Sequence, residues 1–177
     1  SGHLSVCHWL FEVGAAADVS RADKDGRTPM FMACGKCKLS VCQWLFEVGA
    51  AADVSKLITG GYTPMYVACQ SGCLPVCKWL LEVGAAADTT RPDKEGRTPL
   101  WVACENGHLS VCKWLFEVGA DADITKANNG GYTPMYVACQ NGHLSVCKWL
   151  FEVGAAADIT KANNNGATRM YVACQEG

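Results

Sequence analysis

Residues 133–154 have the sequence TPMYVACQNGHLSVCKWLFEVG, and this stretch decides how the chain folds. Thr133 followed by Pro134 indicates a helix start, because the hydroxyl can cap a free backbone N–H and proline is tolerated at the first helical position. Gly142 can take the left-handed conformation that ends a helix. The stretch therefore predicts a first helix of about two turns, which is too short to be stable alone.

A second helix is predicted from about His143 to Val153, and Gly154 ends it. Its polar residues lie on one narrow stripe at helical spacing: Ser145, Lys148 and Glu152. The rest of its circumference is apolar, and such a helix must be covered on several sides. The short first helix cannot provide that cover, so neighbouring copies of the same stretch must.

The copies recur with a period of 35 residues. Each second helix carries one tryptophan, at Trp9, Trp44, Trp79, Trp114 and Trp149. The helix-ending glycines are Gly14, Gly49, Gly84, Gly119 and Gly154. The helix-starting prolines are Pro29, Pro64, Pro99 and Pro134, with Arg169 in the fifth slot. A fixed period in this range predicts a solenoid.

The motifs Thr-Pro-Met-Tyr-Val-Ala, Asn-Gly-His-Leu and Leu-Phe-Glu-Val-Gly-Ala resemble the ankyrin repeat, whose signature is T-P-L-H-x-A with a period of about 33 residues. The resemblance covers the whole chain. It implies an all-α ankyrin-repeat solenoid, made of antiparallel helix pairs joined by extended turn or hairpin connectors. It also implies a protein that binds a partner protein without catalysing a reaction.

The sequence departs from the family pattern in two ways. The histidine after Thr-Pro-Leu is replaced by aromatic residues: Phe31, Tyr66, Trp101, Tyr136 and Tyr171. In the family that histidine bonds locally and between repeats, so we expect aromatic packing between repeats to replace the network. The connector also has two extra residues, since residues 154–158 are Gly-Ala-Ala-Ala-Asp where the family usually has Gly-Ala-Asp. The twist of the solenoid can therefore differ from the family norm.

We expect one array over residues 1–177. It consists of a half repeat at 1–27, complete repeats at 28–62, 63–97, 98–132 and 133–167, and a half repeat at 168–177. The repeat at 28–62 is irregular, because Cys37 takes the place of the helix-ending glycine and must be held in an unusual backbone conformation. The next repeat has Cys73 in the usual histidine position and Pro75 in the first turn of its second helix, where proline is tolerated.

The composition excludes several classes of protein. The net charge is −2 with basic and acidic residues interspersed, which does not provide the basic stripe of a nucleic-acid surface. No apolar run approaches the roughly 20 residues of a membrane span. No secretory signal is visible at the N-terminus. We therefore expect an intracellular protein, in the cytoplasm.

Ten of the twelve cysteines fall at two repeat positions. Those on first helices are Cys34, Cys69, Cys104, Cys139 and Cys174, and those on second helices are Cys7, Cys42, Cys77, Cys112 and Cys147. Free cysteine behaves as a small buried hydrophobic residue, so we expect reduced core thiols. A ladder of disulfides would require an oxidising compartment, for which the sequence gives no indication.

Metal binding is a weaker interpretation of the same cysteines. The spacing of Cys34, Cys37 and Cys42, and that of Cys69, Cys73 and Cys77, has elements of a zinc motif. A structural zinc site normally needs four ligands in two clear pairs, and most of these cysteines are explained by the repeat. We expect no metal and no cofactor.

No catalytic arrangement is visible in the sequence: it has no Ser-His-Asp set, no paired carboxylates and no phosphate-binding glycine loop. His3, His108 and His143 recur where the family has its Gly-His turn, so we interpret them as structural. The tryptophans flank the polar stripe of the second helices, and we expect them to pack on the convex back. We therefore predict that the protein is not an enzyme.

The best functional candidates vary while the repeat frame does not. They lie at the turn tips and at the exposed ends of the first helices, which line the concave face in ankyrin proteins. The partner-binding candidates are Lys24, Arg27, Lys36, Tyr62, Gln70, Lys94, Glu95, Arg97, Trp101, Glu105, Asn129, Tyr132, Gln140 and Asn141, and the same surface also includes Asp25, Leu57, Thr59, Ser71, Asn106, Asn164, Asn165 and Gln175. Aromatic and arginine anchors dominate such interfaces, which favours Tyr62, Arg97 and Tyr132, with Trp101 beside them.

Three functions are consistent with this pattern. The favoured one is a scaffold that binds a protein partner on its concave face. The alternatives are a structural spacer within a longer array and a cysteine-based module that responds to metal or redox state. The first and last elements repeat the apolar patterns of interior helices without a polar cap. This pattern predicts either that the array continues or that copies stack head to tail.

Overall fold

A computed structural model describes residues 2–176 and contains ten α-helices among them. They are α1 (Gly2–Glu12), α2 (Pro29–Gly35), α3 (Leu39–Leu45), α4 (Pro64–Gln70), α5 (Leu74–Glu82), α6 (Pro99–Glu105), α7 (Leu109–Leu115), α8 (Pro134–Gln140), α9 (Leu144–Leu150) and α10 (Arg169–Glu176). Helix α1 is a second helix and α10 is a first helix. Between them α2/α3, α4/α5, α6/α7 and α8/α9 form four pairs stacked in series. The predicted all-α solenoid is confirmed, and the described residues contain no strand beyond the isolated bridge of Ala162 with Thr168.

Each complete first helix begins at the predicted threonine cap. The Thr63 hydroxyl accepts a hydrogen bond from the Tyr66 backbone N–H at 3.1 Å, and Thr28, Thr98 and Thr133 do the same in their repeats. The cap satisfies a backbone donor that the helix itself leaves free, and the proline that follows has no N–H to lose. These helices end as predicted, because Gly142 has a φ of 70° and Cys37, in the equivalent position, has a φ of 56°.

Of the second helices, α3, α7 and α9 continue beyond their regular part into a wider turn. After α9, residues Phe151–Ala155 form a π-turn, within which Gly154 reaches a φ of 120°. The short 3₁₀-helix Ala156–Asp158 follows, so the two additional residues of the connector are part of a tight helical turn. Glycine permits this reversal because it has no side chain to oppose a positive φ.

In the connectors after α3, α5, α7 and α9, an aspartate is buried and paired with a cation three residues later. The pairs are Asp53–Lys56 at 3.3 Å, Asp88–Arg91 at 3.1 Å, Asp123–Lys126 at 3.3 Å and Asp158–Lys161 at 3.2 Å. The carboxylates lie inside while the cations reach solvent, which fixes each connector against the helices. Burial raises the pKa of Asp88 and Asp123, and the neighbouring cations oppose that rise.

The core is a continuous row of side chains from the stacked pairs. First helices contribute Met30, Met65, Leu100 and Met135, and second helices contribute Leu45, Leu80, Leu115 and Leu150. Trp79, Trp114 and Trp149 are buried, and Trp79 and Trp149 each pack edge to face against a phenylalanine of the preceding second helix. Packing is therefore the role of the interior tryptophans.

The first and last helices have no such cover. Trp9 on α1 is 58% exposed and Tyr171 on α10 is 62% exposed, whereas Trp79 and Tyr136 at the same two repeat positions are buried. The difference follows from the architecture, because each repeat buries its apolar faces only against its neighbours. None of the helices described has the length and apolarity needed to cross a membrane.

Candidate functional site

A groove runs along α6, α8 and α10 and the turns before them. It has a volume of about 830 Å³. The residues that line it are Glu95, Arg97, Trp101, Glu105, Asn128, Tyr132, Tyr136, Val137, Gln140, Asn163, Asn165, Gly166, Ala167, Thr168, Tyr171, Val172 and Gln175. One rim consists of turn tips and the floor consists of first-helix side chains.

The turn tips are shaped by one side chain in each repeat. Oδ1 of Asp93 accepts hydrogen bonds from the backbone N–H groups of Glu95 and Arg97, both at 2.9 Å. Oδ1 of Asn128 and of Asn163 accepts the equivalent pair of bonds. Aspartate and asparagine favour such turns because their short side chains can replace a backbone acceptor. The tips are therefore ordered and present their side chains in fixed positions.

Arg97 is the most connected side chain of the groove. Its Nε donates to Oδ2 of Asp93 at 2.7 Å, one terminal nitrogen lies 3.4 Å from Glu95, and the other donates to the Tyr62 hydroxyl at 3.1 Å. The guanidinium also lies 5.9 Å from the ring centroid of Trp101. Burial alone lowers the pKa of Arg97, but the bond to Asp93 and the nearby negative charges raise it above its ordinary value.

The aromatic series links three of the first helices to the turn at the end of the same repeat. The Tyr66 hydroxyl donates to Oδ2 of Asp93 at 3.1 Å, the Trp101 indole N–H donates to the Tyr132 carbonyl at 2.7 Å, and the Tyr136 hydroxyl accepts from the Asn163 amide at 3.1 Å. Burial is the main cause that raises the pKa of Tyr66. The expectation of aromatic packing alone is therefore incomplete, because these rings also donate or accept hydrogen bonds within their own repeats. Phe31 has no hydroxyl, and the position that would bond it is occupied by Ile58.

Glu105 and Gln140 end two of the first helices that form the floor. Burial raises the pKa of Glu105, Arg97 lowers it, and the charges of Asp93 and Glu95 raise it. The Glu105 backbone carbonyl is used twice, by the Asn141 amide at 3.1 Å and the His143 imidazole at 3.0 Å. Neither the Glu105 carboxylate nor the Gln140 amide contributes to a hydrogen bond within the described residues, so both can bind a ligand.

The groove brings together six of the candidates from the sequence: Glu95, Arg97, Trp101, Glu105, Tyr132 and Gln140, along with Asn165 and Gln175 from the wider surface. The other eight do not line it: Lys24, Arg27, Lys36, Tyr62, Gln70, Lys94, Asn129 and Asn141. Asn141 lines a smaller depression with Glu105, Asn106 and His143. Trp101 is almost fully buried beneath Tyr132 and supports the groove from below.

Sequence reasoning missed several lining residues. Asn128 and Asn163 lie at the same repeat position as Asp93, so the period alone could have shown that they occupy the turn. Tyr136 belongs to the aromatic series, whose recurrence on the first helices could also indicate a binding stripe, although packing is the favoured interpretation. Val137 lies beside it on the same helix, and no feature of the sequence shows that it is reached from the groove.

Arg97 also has a structural role, because its guanidinium neutralises the buried Asp93 carboxylate at 2.7 Å. Breaking a buried ion pair by removing one partner is strongly destabilising. Arg97 is therefore part of the fold, and alanine at this position cannot report on binding alone.

A disulfide joins Cys37 to Cys73, the two cysteines that lie outside the two repeat positions. The remaining ten are free. Eight of these form thiol pairs within their repeats, with sulfur–sulfur distances of 3.6 Å for Cys34–Cys42, 3.7 Å for Cys69–Cys77, 3.6 Å for Cys104–Cys112 and 3.5 Å for Cys139–Cys147. Burial raises the pKa of Cys69 and Cys104 well above the ordinary value, which keeps these thiols protonated.

The two zinc-like sets of cysteines are thus divided between two thiol pairs and the disulfide. Over residues 2–176, no group of three or more histidine, cysteine or acidic side chains is placed to hold a metal ion. The histidines at the turn bond to the preceding repeat, since His108 Nε2 lies 3.1 Å from the Gln70 carbonyl and His143 Nε2 lies 3.0 Å from that of Glu105. Their interpretation as structural residues agrees with these contacts.

A family model of ankyrin repeats in three copies matches residues 1–93, 53–126, 85–163 and 120–177, which together extend over the whole chain. The chain therefore belongs to the ankyrin repeat family. Members of this family are generally modules for protein–protein interaction and are typically not enzymes. The comparison with curated proteins finds no match.

Proposed function

We propose that this chain is a non-enzymatic scaffold that binds a protein partner in the groove along α6, α8 and α10. One observation carries the proposal: six candidates chosen from the sequence lie together in a groove of about 830 Å³. Residues from several turns and helices converge there, and the groove combines aromatic rings with polar groups. Such a combination is what protein-binding surfaces use for affinity and orientation.

The chemistry of the groove favours an extended polypeptide segment with a basic residue. Arg97 is already neutralised by Asp93, whereas the Glu105 carboxylate is partly buried and carries no cation of its own. A lysine or arginine of the partner would provide that cation, and the Gln140 amide can bond a main-chain group beside it. The same balance of charge argues against a nucleic-acid ligand, whose phosphates need basic residues.

The double variant Glu105→Ala with Gln140→Ala tests the proposal. Neither side chain bonds another group of the described residues, so their loss leaves no buried partner unsatisfied. The matched control removes the same residue types from second helices, as Glu82→Ala with Gln43→Ala, both exposed. The wild-type and both variants are immobilised, exposed to cell extract and compared by quantitative mass spectrometry.

We expect proteins captured by the wild-type array to be retained by the control and reduced at least about tenfold by the groove variant, as for the loss of an interface hot spot. Thermal unfolding of both variants should remain close to that of the wild type. Equal capture by the groove variant and the control would refute the groove as the binding surface. Equal capture by all three and by a blank matrix would favour a spacer that binds nothing.

We also propose that another repeat covers the exposed faces of α1 and α10. An apolar depression of about 380 Å³ at the second end is lined by Met135, Cys139, Phe151, Met170 and Ala173, among others. Each interior repeat fills this position with a second helix, and α1 has the sequence of such a helix. A continuation of the array or the α1 of a second copy would fit there. Light scattering over a concentration series separates the two, since only stacking of copies raises the mass.

The repeat boundaries 28–62, 63–97, 98–132 and 133–167 remain part of the proposal, as does an intracellular location. The ten free thiols support a reducing compartment. Imaging of the tagged protein would test the location, and a secreted protein would contradict it.

A further inference from the structure

We propose that Cys37–Cys73 is a reversible redox site that staples the first two complete repeats together at a junction where the other repeats use glycine and histidine. Cys37 lies in the turn after α2 and Cys73 lies in the turn after α4. Their Cα atoms are 5.2 Å apart, within the range that a disulfide spans without backbone movement. The site is separate from the groove and does not depend on the proposed binding function.

The two cysteines replace a matched pair of residues. One period later the same two positions are Gly72 and His108, and a further period later they are Gly107 and His143. In both junctions the imidazole lies directly over the glycine: a Cβ placed on Gly72 would be 2.6 Å from Nδ1 of His108, and one on Gly107 would be 2.6 Å from Nδ1 of His143. A side chain at the glycine position is therefore incompatible with histidine above it. Replacing both residues with cysteine removes the imidazole and joins the two positions covalently.

The polar contacts around this junction lack only the bond made by histidine. The histidines each bond a main-chain carbonyl of the preceding repeat, as His108 does with Gln70. At the cysteine junction the equivalent carbonyl, that of Gly35, accepts a hydrogen bond from the Ser71 hydroxyl at 2.9 Å, just as the Glu105 carbonyl accepts one from Asn141 at the same repeat position. The Ser71 carbonyl lies 3.9 Å from the sulfur of Cys37 and 3.8 Å from that of Cys73. This carbonyl is available to accept a hydrogen bond from a thiol when the disulfide is reduced.

The backbone conformation of Cys37 is unusual for a residue with a side chain. It is the only non-glycine residue with a positive φ in the described part of the chain, at 56°. Such a conformation is unfavourable for a residue with a side chain and persists where the surroundings hold it. The bond to Cys73 supplies that restraint, and without it the turn after α2 has less reason to keep its shape.

Access to the two sulfurs is unequal, which sets the course of the reaction. Cys37 is exposed, whereas Cys73 is only 2% exposed. A small thiolate, such as that of glutathione, would attack the sulfur of Cys37 and break its bond to Cys73, which leaves as a thiolate and takes up a proton. A second thiol then attacks the mixed disulfide, releasing Cys37 as a thiol and oxidised glutathione as the product. Two electrons pass from two glutathiones to the protein disulfide, and oxidised glutathione reverses the sequence.

The disulfide between Cys37 and Cys73 lies near the end of the array that begins with α1. Helix α3 packs between α5 and the exposed α1, and α2 has no first helix before it among the described residues, so the pair α2/α3 has less cover than the pairs α4/α5 and α6/α7. A covalent link to α4 limits the separation of this pair from the next, and its reduction should allow α2 and α3 to open more often. Lys36 and Ser71 flank the disulfide, so the positions of these two surface residues depend on it.

The experiment uses the whole chain, equilibrated with either reduced or oxidised glutathione. Trapping of free thiols, digestion and mass spectrometry should show one disulfide, between the peptides of Cys37 and Cys73, in the oxidised sample and none in the reduced one. Hydrogen exchange of the amides of α2 and α3 should be at least about tenfold faster after reduction, as expected for the loss of a disulfide cross-link. Exchange in α6 to α9 should not change.

The matched control is Cys37→Gly with Cys73→His, which restores the pair that the other junctions use. This variant should fold and should show no difference in exchange at α2 and α3 between the two glutathione samples. Alkylation of all twelve cysteines after equilibration with excess oxidised glutathione would overturn the proposal. The same conclusion would follow from a disulfide that forms without altering exchange, or from a response to glutathione that persists in the control variant.

Discussion

The turns at residues 23–27 and 93–97 have nearly the same sequence and the same internal hydrogen bonds, but they lie in different surroundings. Asp23 accepts from the backbone N–H groups of Asp25 and Arg27 at 2.9 Å, and the Arg27 guanidinium donates to it at 2.8 Å. The equivalent bonds of Asp93 are 2.9 Å and 2.7 Å. The Asp23 side chain is nevertheless 41% exposed and that of Asp93 only 1% exposed.

The first helix before each turn accounts for this difference. Tyr66 of the same repeat donates its hydroxyl to Asp93, and the hydroxyl of Tyr62, the last residue of the preceding repeat, accepts from Arg97. The first turn has no preceding first helix among the described residues. Local sequence therefore determines the shape of a turn, whereas the first helix before it determines how strongly the same ion pair matters.

The largest expected contrast concerns tryptophan. Trp114 is buried in the interior of the array, while Trp9 in the same repeat position is exposed on α1. We expect Trp114→Ala to lower the free energy of unfolding by about 3–5 kcal/mol, because it leaves a large cavity. Trp9→Ala should change it by less than about 1 kcal/mol. Urea unfolding followed by circular dichroism measures both, and equal losses would show that a neighbour covers α1 in solution.

The ion pairs should show a somewhat smaller contrast. Asp93→Ala leaves the Arg97 charge partly buried without its partner, so we expect a loss of about 3 kcal/mol. Asp23→Ala removes the same bonds from a turn that water already reaches, so the loss should be much smaller. Urea unfolding of the two variants gives the comparison, with Asp25→Ala as a control for loss of charge at a turn. Similar losses at Asp93 and Asp23 would mean that the first helix before the turn contributes little.

The parts of the structure that could be predicted from the sequence are those set within one repeat. The Thr133 cap, the glycine stop at Gly142 and the 35-residue period follow from rules that act over a few residues, and the structure confirms them. Contacts between repeats were harder to foresee. Cys37 and Cys73 were each recognised as departures, but their bond depends on how two turns 36 residues apart meet in space.

The groove shows the same division. Candidates at the turn tips, such as Glu95 and Tyr132, were found because variable positions stand out against a constant frame. The structural role of Arg97 was missed, because the burial of Asp93 depends on Tyr66, which lies 27 residues earlier on the first helix of the same repeat. The pattern of variable positions identifies which residues lie at the turn tips, but it does not show which of them the folded chain covers.

The Tyr66 hydroxyl offers a finer test of the contact between a first helix and the turn that ends its repeat. Tyr66→Phe keeps the ring and removes only the bond to the Asp93 carboxylate, so we expect a loss of about 1–2 kcal/mol. Phe31→Tyr is the matched control, because the equivalent acceptor position is Ile58 and the added hydroxyl gains no carboxylate partner. That change should not stabilise the protein. A stabilising Phe31→Tyr, or a Tyr66→Phe without effect on urea unfolding, would contradict the role assigned to this bond.

The smallest expected effect is a shift in one titration. Backbone bonding from Arg27 is the largest cause that lowers the pKa of Asp23, and the Arg27 guanidinium lowers it further. A carboxylate whose pKa is lower in the folded state contributes stability above its unfolded pKa, and this contribution disappears as the pH falls through the folded value. The relevant window therefore lies at and below about pH 4, the ordinary range for aspartate. NMR titration of the Asp23 carboxyl should give a pKa below that range, and Arg27→Ala should raise it only in part, because the backbone N–H groups still donate. An Asp23 pKa at or above the ordinary value in the wild type would show that this turn does not keep its conformation without a first helix before it.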